Sequence, residues 1–143
     1  MFASSVFSTA YSGLSAESRG VEIAAANIAH ANDTIRPADA STATHQKPES
    51  DSDSGAYRPQ DVVRSSVPGG GVRADAVERD PPHELSYAPD DPNANENGLV
   101  ARPNVNFENE FVAMIMSHRA FEANLKSIKT AEAMMGALLS ARI

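Results

Sequence analysis

The sequence predicts a mainly α-helical protein in which long N- and C-terminal helices pair as an antiparallel coiled coil, with a small β-hairpin insertion and a polar linker between them. Two observations lead to this prediction. Apolar residues recur at coiled-coil spacing only near the two ends of the 143-residue chain, and nearly all of the net charge of −7 lies between those ends. We therefore divide the chain into an N-terminal helix (1–32), a linker (33–56), an insertion (57–103) and a C-terminal helix (104–143).

The N-terminal segment has the period of a narrow helix–helix seam. Its large apolar residues follow one another at intervals of seven and are Phe7, Leu14, Val21 and Ile28. Such a repeat is typical of a coiled coil rather than of a core helix with a broad apolar face. We expect a helix from about Ser4 to Ala31, after which Asn32 turns the chain toward the insertion. Asn27 lies beside the seam, where a buried amide needs hydrogen-bond partners. We expect those near the C-terminal helix or in a neighbouring subunit, with Asn27 fixing the register of the helices.

The C-terminal segment carries a longer seam. Asn104 or Asn106 can cap a helix, and Glu108 and Glu110 suit the positive end of its dipole. The apolar residues that follow alternate in steps of four and three, with His118 inside the series and Glu132 interrupting it; they are Phe107, Phe111, Met114, Phe121, Leu125, Ile128, Met135 and Leu139. A helix of this length, about 50 Å, indicates a partner helix.

One antiparallel helix pair cannot cover all of the apolar residues at the two ends. We expect several large side chains to remain without a partner inside one chain, namely Tyr11, Ile23, Ile115, Met116 and Met134. Contiguous exposed apolar surface of this kind is typical of a subunit that assembles with other chains. Both seams together are therefore the candidate assembly interface.

The linker, residues 33–56, is acidic and rich in Ser, and its only large aliphatic residue is Ile35. A segment with so little apolar surface cannot offset the entropy of ordering, so we expect it to be extended and to pack little. The insertion that follows it carries the pattern of a β-hairpin, because Asp61–Arg64 and Val72–Val77 flank the turn Pro68–Gly71. Glu84–Tyr87 is a weaker third strand.

Composition excludes several classes of function. The excess of acidic over basic residues argues against a nucleic-acid-binding protein, which needs a basic face to neutralise phosphates. No apolar run approaches the roughly 20 residues that span a bilayer, so we expect no membrane insertion. The chain contains no cysteine, which removes thiolate chemistry and disulfides.

No catalytic or cofactor-binding pattern emerges from the remaining residues. Asp91–Asn95 begins like a calcium loop, but Glu96 stands at the required glycine and Arg102 at the bidentate glutamate, so we expect a structural turn. The four histidines match no zinc spacing. We therefore expect no metal, no cofactor and no enzymatic activity.

Longer motifs give a more specific indication. Two of them lie in the N-terminal helix, at Tyr11–Ala16 and Ala26–Asn32, and a third lies in the C-terminal helix at Ala123–Met135. The insertion adds Tyr57–Gln60, Gly69–Val72, Glu96–Val100 and Arg102–Asn106. Together they resemble the axial rod and hook proteins of the bacterial flagellum, most closely those of the proximal rod of the basal body. His30 stands where that family usually has Asn, and Asp33 is inserted before Thr34.

The resemblance implies a structural subunit of the flagellar basal-body rod, the shaft that spans the periplasm and transmits torque. It implies export without cleavage through the flagellar type III apparatus, and as partners the chain itself and other rod proteins. The terminal helices would lie inside a tubular assembly and the insertion outside. Two alternatives stay open: a soluble helical adaptor or export chaperone that binds through the same seams, or another rod protein of the axial family.

Overall fold

The computed structural model describes residues 2–37 and 56–141. Along the chain, two long helices flank four short strands. The elements in order are α1 (Phe2–His30), β1 (Gln60–Ser66), β2 (Val72–Glu78), β3 (His83–Tyr87), β4 (Leu99–Pro103) and α2 (Phe107–Ser140). The predicted terminal helices and the predicted hairpin are confirmed. Within these residues neither helix is both long and apolar enough to cross a membrane.

The start of α2 follows the capping prediction. The side-chain oxygen of Asn106 accepts a hydrogen bond of 2.9 Å from the backbone N–H of Asn109, which satisfies one of the free donors of the first turn. Glu108 and Glu110 lie in that turn. The chain therefore changes from strand to helix within the few residues after Pro103, and this short connection fixes where α2 begins relative to β4.

The two helices pack antiparallel along a line of small and polar residues. Gly13 of α1 lies against Asn124 of α2. About two turns further along α1, Gly20 lies against Ser117, so residue numbers rise along α1 as they fall along α2. The buried residues of α1 are small or polar apart from Ile23, and they are Ala10, Gly13, Ala16, Gly20, Ile23, Ala24 and Asn27. On α2 the buried residues are Glu110, Ser117 and Ala131. Small side chains allow the two backbones to approach closely.

The predicted seam residues do not form this line of contact. Four on α1 and four on α2 flank it and are half-buried, namely Phe7, Leu14, Val21, Ile28, Met114, Phe121, Ile128 and Met135. The others on α2 are exposed, and these are Phe107, Phe111, Leu125 and Leu139. The predicted coiled-coil pairing of the two seams is therefore not confirmed within one chain, where Phe111 and Leu125 are exposed and the small residues of α1 give a closer approach than large side chains would.

The hairpin β1–β2 lies along α1. The two strands pair antiparallel from Gln60 opposite Glu78 to Ser66 opposite Val72. Near the tip, the N–H of Val72 donates a hydrogen bond of 3.1 Å to the hydroxyl of Ser12. Gly71 has a φ of 104° there, and a side chain on it would meet the same hydroxyl. Ile23 is only 6% exposed, so the expectation that Ile23 lacks a partner inside the chain is wrong.

A second hairpin joins β3 to β4, with His83 opposite Pro103 and Tyr87 opposite Leu99. The strand β4 was not expected from the sequence, and it supplies two almost fully buried residues of the insertion, Val100 and Ala101. Ile35 pairs with the free edge of β4 through two backbone hydrogen bonds to Ala101, of 3.0 and 2.9 Å. The expectation that residues 33–56 pack little is therefore wrong at their start, and residues 38–55 lie outside the described part.

The segment that resembles a calcium loop is a structural turn. The side-chain oxygen Oδ1 of Asp91 accepts from the N–H of Asn93 and from the hydroxyl of Thr34. The Oδ1 of Asn95 accepts from the N–H groups of Asn97 and Leu99. Because these oxygens already accept hydrogen bonds from the chain, the turn ties the residues after α1 to the start of β4.

The glycine contacts of α1 generate a testable prediction. We expect Gly13→Ala to lower the free energy of unfolding by about 1 kcal/mol. The added carbon would lie 2.7–2.8 Å from three atoms of the Asn124 amide, and the overpacking outweighs the gain in helix propensity. The matched control is Gly136→Ala, where a side chain meets nothing within 4 Å. It should raise stability by about 0.5–1 kcal/mol. Urea unfolding of dilute protein measures both; equal stabilisation by the two substitutions would contradict the close contact.

Candidate functional site

The candidate site is the junction at which α1, the first hairpin and α2 meet. Its centre is Asn27, whose side chain is fully buried. The amide nitrogen donates a hydrogen bond of 2.9 Å to the carbonyl of Gln60, and the amide oxygen accepts one of 3.1 Å from the Gln60 N–H. The Tyr57 hydroxyl donates to the same oxygen at 2.7 Å. The expectation of a hydrogen-bonded Asn27 is confirmed, but its partners lie in the insertion and not in α2.

Tyr57 is held on three sides. Its ring stacks on His30, one turn after Asn27, with the ring centres 4.4 Å apart and an angle of 20° between the planes. His30 Nδ1 lies 2.8 Å from the Asp33 carboxylate, and His83 Nε2 lies 3.0 Å from the Tyr57 carbonyl. Burial, and then the charge of Glu110, raise the pKa of the Tyr57 hydroxyl. The hydroxyl therefore stays protonated and remains a donor to Asn27.

Arg64 connects the hairpin to both helices. Its guanidinium donates two hydrogen bonds to the carboxylate of Glu17 on α1, of 3.2 and 2.8 Å. The nitrogen Nη2 also donates at 3.0 Å to the hydroxyl of Ser117 on α2. The bidentate geometry orients the arginine, and Glu17, whose side chain is only 14% exposed, receives a direct counter-charge. One side chain of β1 thus bridges the two helices beside Gly20.

Arg79 makes the corresponding connection at the other end of the hairpin. It pairs with Asp61 of β1 and donates at 2.9 Å to Glu110, and it donates at 2.7 Å to the carbonyl of Asn104. The Glu110 side chain is only 7% exposed, so loss of this arginine would leave a buried carboxylate without its ion-pair partner. Hydrogen bonding to Asp61, and then to Glu110, raises the pKa of Arg79 and keeps it charged. Arg79 therefore holds the first turn of α2 against the hairpin.

These side chains line a cleft of about 560 Å³ between α1, β1 and α2. Its three acids are already paired: Glu17 with Arg64, and Asp61 and Glu110 with Arg79. The walls between the charged groups are Ile23, Ala24, Ala113, Met116 and Ala120, among others. The arrangement is that of a hydrogen-bonded joint between elements, in which the ionic groups fix relative positions.

The sequence identified only part of this junction. Asn27 was singled out, and the motif Tyr57–Gln60 was noted without a role. The structure gives it one, because Tyr57 and Gln60 both bond to Asn27 while Pro59 between them is fully buried. Two ion pairs were missed, that of Arg64 with Glu17 and that of Arg79 with Glu110, since no sequence spacing predicts ion pairs between distant segments. The only sign of such an ion pair in the sequence was Glu17, an acidic residue within the otherwise mostly apolar N-terminal helix.

The fold and this junction define a helical assembly subunit, with two paired terminal helices and a small insertion fastened to both. Residues 96–141, which contain β4 and α2, match the family described as "Flagellar basal body rod FlgEFG protein C-terminal". The flagellar basal-body rod protein FlgC of Salmonella typhimurium is 32% identical over 136 residues, covering 91% of this chain and 90% of that protein. FlgC of Yersinia enterocolitica gives the same figures. FlgC of Bacillus subtilis is 37% identical over 68 residues, which cover 47% of this chain and 45% of that protein. The chain belongs to the FlgC family of flagellar basal-body rod proteins.

The buried amide generates the second prediction. We expect Asn27→Leu to lower the free energy of unfolding by about 2–4 kcal/mol, because both backbone groups of Gln60 lose their partner inside the protein. Tyr57→Phe is the matched control, since it removes one donor to Asn27 and keeps the ring on His30. It should cost only about 1 kcal/mol. Urea unfolding of both variants measures the difference, and a smaller loss for Asn27→Leu than for Tyr57→Phe would refute the central role of the amide.

The third prediction concerns Arg79. Arg79→Met should lower the free energy of unfolding by about 3–5 kcal/mol, because the buried Glu110 loses its counter-charge. Asp61→Asn should cost less than about 1 kcal/mol, since Asp61 is 56% exposed. The double variant Arg79→Met with Glu110→Gln should recover at least about half of the loss. Chemical denaturation of the four proteins tests this ordering, and no recovery in the double variant would show that the loss has another origin.

Proposed function

We propose that this chain is a structural subunit of the flagellar basal-body rod that assembles through its terminal helices into a torque-transmitting tubular shaft. The observation that carries the proposal is the set of large apolar side chains left exposed along α2. They are Phe107, Phe111, Val112, Ile115, Met116, Leu125, Met134, Leu138 and Leu139. Exposed apolar surface on this scale favours burial against other chains. Membership of the FlgC family supports the rod as the assembly in which that burial takes place.

In this proposal each of the four segments of the chain has its own role. The helices of 1–32 and 104–143 form the inner, assembling part, and the predicted seam residues Phe7, Leu14, Val21, Ile28, Phe107, Phe111, Met114, Phe121, Leu125, Ile128, Met135 and Leu139 meet neighbouring subunits in coiled-coil contacts. The insertion of 57–103 faces outward, and 33–56 links the two parts. The half-buried positions of the α1 seam support this arrangement, since a neighbour can complete their burial.

In this proposal Asn27 holds the insertion in a fixed position on α1. Its bonds to Gln60 and Tyr57 set the orientation of the insertion relative to the helix pair. In a helical assembly each subunit repeats the same heterologous contacts, so a fixed internal geometry is needed for contacts to propagate along the shaft. Partners are further copies of the chain and other rod proteins, and delivery is by the flagellar type III export apparatus.

An adaptor or export chaperone would use the same apolar seams for a different purpose. The comparisons favour the rod subunit, because the relatives matched over nearly their whole length are named as basal-body rod proteins. The structure adds that the insertion is joined to both helices through Arg64 and Arg79. A rigid connection of this type suits a subunit that must transmit force between its inner and outer parts.

The fourth prediction tests the inner location of α2. Leu139→Glu, at a side chain 71% exposed, should abolish motility in cells that lack their own copy of the protein, while leaving expression normal. Placing a charge in an apolar contact between chains removes the contact without disturbing the fold of one chain. Leu85→Glu is the matched control, since Leu85 is 64% exposed but lies on β3 of the insertion. It should preserve motility.

Swimming in soft agar and the protein content of purified basal bodies give the two readouts. Normal motility with Leu139→Glu would contradict the proposed inner location of α2. If motility were lost with Leu85→Glu alone, the proposed inner and outer parts of the subunit would be reversed.

A further inference from the structure

The turn before β4 contains the one Asn–Gly pair of the sequence, Asn97–Gly98. Asn97 is exposed, and among residues 2–37 and 56–141 its side-chain amide has no hydrogen-bond partner. Every other asparagine is followed by a residue that carries a side chain. Glycine has no Cβ, so its backbone nitrogen can approach a neighbouring group more closely than that of another residue. Asn97 is therefore the asparagine whose amide reacts most readily with the backbone of the next residue.

This reaction takes place within one chain and needs only water. The Gly98 nitrogen attacks Cγ of Asn97, a bond forms between these two atoms, and the bond from Cγ to Nδ2 breaks. The proton lost from the Gly98 nitrogen leaves with Nδ2 as ammonia, and a five-membered succinimide ring remains. Water then opens the ring at one of its two carbonyl carbons. The product is either aspartate or isoaspartate, in which the main chain runs through the former side chain.

The folded turn holds the attacking group in an unreactive state. The Gly98 N–H donates a hydrogen bond of 2.9 Å to the carbonyl of Asn95, and the Asn97 N–H donates one of 2.9 Å to the Asn95 side-chain oxygen. Attack requires the Gly98 nitrogen to lose its proton, and a donated hydrogen bond stabilises the protonated form. Gly98 is also buried. The nitrogen therefore attacks Cγ only after the turn opens.

The glycine of this pair is required by the fold. Gly98 has a φ of 72°, in the left-handed region that favours glycine. A Cβ at this position would lie 2.9 Å from Cε2 of Tyr87 and 3.2 Å from Cβ of Pro89. The reactive pair therefore cannot be removed by a side chain at position 98, and its protection depends on the hydrogen bonds to Asn95.

We propose that Asn97 is a deamidation site whose reaction is controlled by opening of the turn of residues 95–98. Isoaspartate adds one atom to the main chain between Asn95 and Leu99, which are joined by hydrogen bonds of 2.9 and 3.0 Å. Leu99 begins β4, in which Val100 is fully buried. Isoaspartate therefore disturbs the start of β4, whereas aspartate leaves the main chain unchanged. Deamidation concerns the covalent stability of the insertion, whatever the assembly in which the subunit acts.

Peptide mapping by mass spectrometry of purified full-length protein tests the proposal. The protein is incubated at neutral pH in native buffer and, in parallel, unfolded in urea, and the fraction of Asn97 converted is followed over time. In urea, Asn97 should react at least about tenfold faster than Asn93 and Asn95 of the same chain, which do not precede glycine. In native buffer, Asn97 should react at least about tenfold more slowly than in urea, because the reaction requires local opening.

Asn95→Ala tests the control by the turn. It removes the side-chain oxygen that accepts from the N–H groups of Asn97 and Leu99, and it should raise the rate at Asn97 in native buffer about threefold or more. The matched control is Glu96→Ala, a truncation of the neighbouring exposed side chain that leaves these bonds in place. Its rate should stay within about twofold of the original. Circular dichroism shows whether each variant keeps the fold.

Hydrogen exchange provides a measurement that needs no substitution. At urea concentrations below the unfolding transition, exchange of the Gly98 N–H and conversion of Asn97 should accelerate by the same factor, because both require the same opening. Equal rates at Asn97 in native buffer and in urea, an unchanged rate in folded Asn95→Ala, or conversion that does not follow Gly98 exchange would each overturn the control by the turn. Equal rates at Asn97, Asn93 and Asn95 in the unfolded chain would overturn the site itself.

Discussion

The structure depends on the need to satisfy one buried amide. Asn27 is fully buried, and both ends of its side chain bond to the backbone of Gln60 at the start of β1. A leucine there would bury more apolar area but could not specify which residue of the hairpin meets α1. Because Gln60 is fixed, the antiparallel register of β1 and β2 carries Arg64 and Arg79 to defined points beside α2. The position of the second helix therefore follows in part from a hydrogen bond that it does not itself make.

The elements themselves could be predicted because each has a local cause. The Asn106 cap, the acidic first turn of α2 and the Pro-Gly-rich turn between β1 and β2 all act over a few residues. Strand β4 was missed because it is short, and because it is covered in part by Ile35, which lies far away in sequence. The ion pairs of Arg79 were missed for the same reason. Spacing along the chain contains no information on which loop brings an arginine to a buried glutamate.

The helix contact shows a different limit of sequence reasoning. Periodicity located the large apolar residues of α2 correctly, but it could not say what covers them. Within one chain, Gly13 and Gly20 of α1 lie against Asn124 and Ser117 of α2, while Phe111 and Leu125 stay exposed. A glycine or an alanine gives a weak signal in a hydrophobic pattern, yet here Gly13 and Gly20 decide how closely the helices approach. The strongest pattern in the sequence therefore marks surface available to other chains, and the weaker pattern marks the fold.

This distribution has an energetic consequence. Hydrogen bonds and ion pairs fix direction and register, but each adds only about 1 kcal/mol of net stability, whereas buried apolar area adds more and specifies less. The chain uses the first kind of interaction within itself, at Asn27, Arg64 and Arg79, and leaves much of the second kind exposed along α2. Its internal geometry is therefore well defined while its own stability is modest. Any partner that covers the exposed face binds only the folded form, so it stabilises the fold by mass action. A subunit of this design is most rigid once it is surrounded by neighbours, which is the condition under which a shaft must carry torque.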